Sequence, residues 1–103
     1  MKESDVVASI CDYLAARRHF FYRSNNIPVY DKARGAFRAL PKYTPRGVPD
    51  IIVVKDGRFI GIEVKTDTGR LSPDQVEFGR QCNEHGGTYA VARSIDDVQR
   101  LGL

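Results

Sequence analysis

Asp50, Glu63 and Lys65 are the residues of this 103-residue chain whose types and spacing point to chemistry. The apolar, β-branched run Ile51–Val54 precedes Asp56-Gly57, and Arg58-Phe59-Ile60-Gly61-Ile62-Glu63 follows. Asp-Gly between two such runs is a strong signal for a two-residue hairpin turn, because both central residues need positive φ. The turn fixes the register, so Lys55 faces Arg58 and Asp50 faces Glu63. Directly opposed side chains lie roughly 4.5–5.5 Å apart at Cβ, and like charges there are destabilising. Lys65, two residues past Glu63, points to the same face. Two facing carboxylates beside a lysine at the end of an apolar hairpin suit a divalent cation, and Mg²⁺ is commonly held by one or two carboxylates. The competing reading is a solvent-exposed hairpin end with a loose Lys–Glu pair.

The elements that position these residues follow from periodicity and capping signals. Residues 3 to 18 read as a helix, with Val7, Ile10 and Leu14 on one face. Glu3 falls on that face one turn earlier, near the core, although an acid is also favourable at any helix N-terminus. His19 to Arg23 reads as a short aromatic strand. Leu71-Ser72-Pro73-Asp74-Gln75-Val76 is a complete helix start, with Ser72 as N-cap, Pro73 at N1, Gln75 closing a capping box and Leu71 with Val76 as a staple. That helix runs to about His85 and stops at Gly86-Gly87. Gly79 within it permits close packing. Thr88 to Val91 is a final strand, and Ser94-Ile95-Asp96-Asp97 begins a short last helix. The order is α-β-β-β-α-β-α. Because both faces of the hairpin are apolar, the class is α/β, with a mixed central β-sheet flanked by helices.

Length allows one domain, residues 1–103, with one modest core. No apolar run approaches a membrane span, and the N-terminus lacks a signal-peptide core. Cys11 and Cys82 form no metal or redox motif, which fits a reducing cytoplasm. No Ser/His/Asp or Cys/His arrangement offers a nucleophilic mechanism. Net charge is +3, unevenly spread: Arg17 to Val48 carries +7. Such asymmetry suggests a polyanionic partner. Within it, residues 25–46 form an irregular basic insertion that interleaves Tyr30, Phe37 and Tyr43 with Lys32, Arg34, Arg38, Lys42 and Arg46. Those five cations are candidates for nucleic-acid phosphates, with the rings available to stack on unpaired bases. The plainer alternative is a solvated loop whose aromatics pack back on the core.

Pro49-Asp50 followed by Glu63-x-Lys65 resembles the PD-(D/E)XK nuclease superfamily. The downstream residues narrow this. Gly47-Val48-Pro49-Asp50, Gly61-Ile62-Glu63-Val64-Lys65, Gly69-Arg70-Leu71-Ser72 with Gln75, Gly86-Gly87 and Tyr89 to Ser94 together resemble a VRR-NUC domain, from about Gly47 to the C-terminus. The compact size is similar to the stand-alone VRR-NUC proteins of phages and bacteria. The resemblance implies the restriction-endonuclease-like fold and metal-dependent endonucleolytic hydrolysis of DNA in the cytoplasm of a bacterium or an infected host. Similarity to archaeal Holliday-junction resolvases implies branched DNA, such as junctions or flaps, and a homodimer. It implies Asp50, Glu63 and the Val64 carbonyl as ligands of Mg²⁺ or Mn²⁺, Lys65 oriented at the attacking water and the phosphate, and Glu3 and Gln75 as further site residues. Gln75 keeps its capping reading beside this one. Ala92 stands where the family pattern has arginine, so Arg93 is not carried over as functional. A non-cleaving binding module and a nuclease subunit targeted by a partner are the other readings.

Overall fold

The computed structural model describes residues 1–24, 30–37 and 39–103. In chain order they form α1 (Glu3–Ala16), β1 (Phe20–Arg23), β2 (Tyr30–Asp31), β3 (Ala36–Phe37), β4 (Ile51–Lys55), β5 (Arg58–Val64), α2 (Pro73–Glu84), β6 (Thr88–Ala92) and α3 (Ile95–Arg100). The main sheet runs β1-β4-β5-β6. Its first two pairings are antiparallel, and β5 pairs with β6 in parallel across α2. The architecture is therefore α/β with a mixed sheet flanked by helices.

The hairpin has the register set by its turn. Lys55 pairs with Arg58 and Ile51 with Ile62. Asp56 and Gly57 adopt φ of 52° and 75°, as a two-residue turn with the twist of its strands requires. The strands' alternation then sorts the residues. Ile51, Val53, Ile60, Ile62 and Val64 enter the core against Val6, Val7, Ile10 and Leu14 of α1 and Val98 of α3. The other face carries Ile52, Gly61, Glu63 and Tyr89. There α2 packs, and the Tyr89 ring lies 2.6 Å from where a Cβ on Gly79 would stand. The glycine, a poor helix former by about 1 kcal/mol, is what lets the ring approach α2.

Three differences from the sequence expectations have local causes. Helix α1 ends at Ala16 rather than Arg18, because Arg18 takes a φ of 60°. Strand β1 starts at Phe20, after His19 N–H closes the helix end by donating to Leu14 O at 3.0 Å. The irregular insertion contains a small antiparallel ribbon, β2-β3, pairing Asp31 with Ala36 and Tyr30 with Phe37. Its turn is built by Asp31, whose Oδ1 accepts from Ala33 N at 3.0 Å, and by Gly35 at a φ of 65°. Among the described residues no helix is long and apolar enough to cross a membrane.

Candidate active site

The site begins one step beyond the last paired residues of the hairpin. Asp50 ends its approach to β4 with its side chain turned across to β5, where Oδ2 accepts from Val64 N at 2.7 Å. The N–H and C=O of a strand residue project to the same side of the strand. The Val64 carbonyl therefore faces the Asp50 edge, while the next residue, Lys65, directs its N–H the other way, to Ala92 O at 3.1 Å. Strand β1 locks the other flank of Asp50. Arg23 pairs with Ile51, Ser24 N donates to Asp50 O at 3.0 Å, and Ser24 Oγ donates to Pro49 O.

Glu63 is the charged residue sunk into this corner, 2% exposed. Lys65 Nζ stands 4.0 Å from its Oε2, the edge of ion-pair range. Its Oε1 is buried without a hydrogen-bond partner. Burial pushes the Glu63 carboxyl up to about 9 from an ordinary 4.5, helped by the adjoining Asp50 carboxyl and by Glu3, and opposed by Lys65. Glu3 reaches the same point from the first turn of α1. One carboxylate oxygen from each of Glu3, Asp50 and Glu63 lies within 4.8 Å of the others. Glu3 is exposed, and Asp5 rather than Glu3 caps the helix, Lys2 N donating to its Oδ2 at 3.1 Å. The first acid of α1 is thereby left to the cluster.

A cavity of about 290 Å³ opens over the acids, lined by Arg23, Ser24, Gly47, Val48, Asp50, Glu63 and Gln75. Gln75 serves the helix start and the cavity together. Its Oε1 accepts from Ser72 N at 2.9 Å, while Ser72 Oγ accepts from Gln75 N at 3.3 Å. The cap uses the carbonyl end and leaves the amide NH₂ as the end that can serve the cavity. Gly47 makes the juxtaposition feasible. At a φ of 75° it lies so close to α2 that a Cβ there would overlap the Asp74 carbonyl.

Other sequence candidates are spread more widely. Lys32 and Arg34 sit in the exposed ribbon turn. Lys42 is exposed, with Nζ 5.1 Å from the Tyr43 ring centroid. Arg46 is exposed next to Gly47. Arg38 lies outside the described residues. Arg93, not carried over as functional from the sequence, instead holds backbone in place. Its Nη1 donates to Thr66 O and, at 2.8 Å, to Gly69 O, closing the turn that follows Lys65.

Sequence reasoning missed Arg23 and Ser24 as cavity residues and Tyr89 as a neighbour of the acids. The Tyr89 phenol is pushed up first by burial and then by the charges of Glu63 and Asp50, and its hydroxyl is buried without a partner. The one available signal was the pairing of β1 with β4, which no turn dictates.

A divalent cation fits the donor set: three convergent carboxylates, one buried oxygen without a partner, and a lysine to balance charge. The comparisons with known proteins identify a family and a fold. The family model of the VRR-NUC domain matches residues 31–96. Two solved structures share the fold. One, titled "VRR_NUC domain", is 19% identical over 96% of this chain and 91% of its own, with a TM-score of 0.65. Another, "VRR_NUC domain protein", is 21% identical over 98% of this chain and 84% of its own, with a TM-score of 0.70. No curated protein matches the chain.

Proposed function

Because the chain belongs to the VRR-NUC family of nuclease domains, we propose that it is a divalent-metal-dependent DNA endonuclease that cuts branched DNA, such as Holliday junctions or flaps, as a homodimer. The observation that carries the reading is the buried, unpartnered Glu63 Oε1 within a cluster of three carboxylates. Asp50, Glu63 and the Val64 carbonyl would hold Mg²⁺ or Mn²⁺. When bound, the cation supplies Lewis-acid polarisation of the phosphodiester and the attacking water.

The chain's own residues do the rest. Lys65 sits on the Glu63 face, where its ammonium neutralises charge building on the phosphate oxygens and orients the water. Glu3 supplies a third carboxylate at the mouth. The Gln75 amide donates towards the cavity from a helix start that its own carbonyl holds rigid. Arg46, beside the cavity wall, and Lys32, Arg34, Arg38 and Lys42 further along the insertion bind backbone phosphates. One chain carries one such acidic cluster among the described residues, and symmetric cutting of a junction needs two, which supports the homodimer. Residues 1–103 act as one domain. The two free cysteines suit a reducing cytoplasm.

The test is incubation of labelled duplex, flap and four-way-junction DNA with Mg²⁺ or Mn²⁺. Cleavage of the branched substrates that disappears in Asp50→Ala is the expected result. Activity that survives Asp50→Ala, or no cleavage of any substrate, refutes it.

A further inference from the structure

Strand β1 presents two aromatic rings to solvent from one face. Phe20 is 71% and Tyr22 51% exposed, and Val54, paired with Phe20, is 39% exposed. Cross-strand partners share a face, so Tyr22 stands in one row with Ile52, Gly61 and Tyr89. Helix α2 covers the Tyr89 end of that row and leaves the β1 end open. Exposed apolar patches of this kind mark interaction surfaces.

Charge identifies the occupant. From Arg17 to Ser24 the chain holds Arg17, Arg18 and Arg23 and no acid. On the adjoining β4 and β5 the only acid before Glu63 is Asp56 in the turn. Arg23, paired with Ile51, turns to the other face of the strand and lines the cavity at the end of the Phe20–Tyr22 row. A polyanion with flat apolar parts suits both features, and nucleic acid with unpaired bases is such a molecule. Geometry supplies a direction. Strand rise places Phe20 and Tyr22 about 6.6 Å apart, roughly two base-stacking steps of 3.4 Å along one strand. The residues after Tyr22, Arg23 and Ser24, line the cavity that holds Asp50 and Glu63.

We propose that the Phe20–Tyr22 face of β1 is a stacking platform for unpaired nucleobases, which leads a single-stranded stretch of DNA into the Asp50–Glu63 cavity. The inference rests on the nuclease reading and refines it: the substrate carries unpaired bases beside the scissile phosphate.

The test measures binding in EDTA, without cleavage, by fluorescence anisotropy of a labelled oligothymidine strand and of a blunt duplex of equal length. Phe20→Ala and Tyr22→Ala each weaken single-strand binding about 10-fold, within the range measured for loss of a stacked base, and shift duplex binding less than about 2-fold. Phe20→Tyr and Tyr22→Phe keep single-strand affinity, since the ring is what stacks. Both positions are exposed, so thermal unfolding matches wild type. Single-strand affinity unchanged in the double alanine variant overturns the proposal. So does a double variant that turns a dimer into a monomer by sedimentation while binding the strand normally, which makes the face a contact between copies. Neither result touches metal-dependent cleavage by the wild type, whose absence refutes the nuclease reading instead.

Discussion

Replacing Glu63 by glutamine should make the metal-free protein more stable while abolishing its response to metal. The reasoning starts from burial. Glu63 titrates at about 9 in the fold against an ordinary 4.5, so between those values the folded chain holds a proton that the unfolded chain releases. Stability then falls as pH rises through that window, by up to about 1.4 kcal/mol per pH unit. At about pH 7.5 the accumulated loss is at most about 4 kcal/mol, and it belongs to the Asp50–Glu63 pair rather than to one residue. Glutamine copies the protonated shape without this penalty. In EDTA at about pH 7.5 Glu63→Gln should therefore melt higher, by about 10 °C or more for a domain this small. The advantage should shrink as pH is lowered towards about 4.5 and vanish below it, where wild-type Glu63 is protonated in both states. Saturating Mg²⁺ or Mn²⁺ should erase most of this difference. Wild type gains about 2.7 kcal/mol at a hundredfold excess over Kd, and the glutamine variant gains little. Calorimetry across pH, with and without metal, measures all of this. A glutamine variant no more stable than wild type in EDTA near neutral pH, or an advantage independent of pH, refutes the argument that burial beside Asp50 and Glu3 governs this carboxyl.

Four further outcomes follow from the same contacts. Lys65→Ala should cut the cleavage rate at least about 100-fold while leaving metal affinity by titration calorimetry within a few-fold, because the ammonium meets Glu63 only at 4.0 Å. Ser72→Ala should cost about 1 kcal/mol in denaturant unfolding through loss of the N-cap, and release of the helix start that holds Gln75 should lower activity beyond that loss. Gly47→Ala should cost more, on the order of 2–3 kcal/mol, since it combines a positive φ with a methyl that overlaps the Asp74 carbonyl; a wild-type melting curve would contradict the packing of that loop on α2. Arg93→Ala should cost about 1.5–3 kcal/mol through the two carbonyls it bonds, and Arg93→Lys should restore only part, as an ammonium lacks the planar fork.

What the sequence disclosed was whatever is fixed locally. Asp56-Gly57 demands one turn geometry, the turn demands one register, and the register brings Asp50 and Glu63 together before any tertiary contact is considered. The Ser72–Gln75 cap was legible for the same reason, since all its partners lie within one helical turn. The ribbon at Tyr30–Phe37 was not, because each strand has only two residues and periodicity has no length over which to act. Nor were Arg23 and Ser24 at the cavity, because β1 meets β4 only after the chain closes a loop with no turn signal to set the register.

The same division explains why the acids carry an electrostatic cost that the local sequence does not relieve. Hairpin and helix caps are each satisfied by their own neighbours. Glu63 is not: its burial comes from strands and helices that are distant in sequence, and its Oε1 finds no partner in any of them. Local consistency builds the frame, and tertiary packing then drives one carboxylate into a corner where it is unstable alone. A fold selected for stability would place an apolar side chain there, as it does at Ile62 and Val64 on either side. That the frame instead holds a carboxylate facing Asp50 and Glu3 is the argument that this corner is kept for a charge brought from outside.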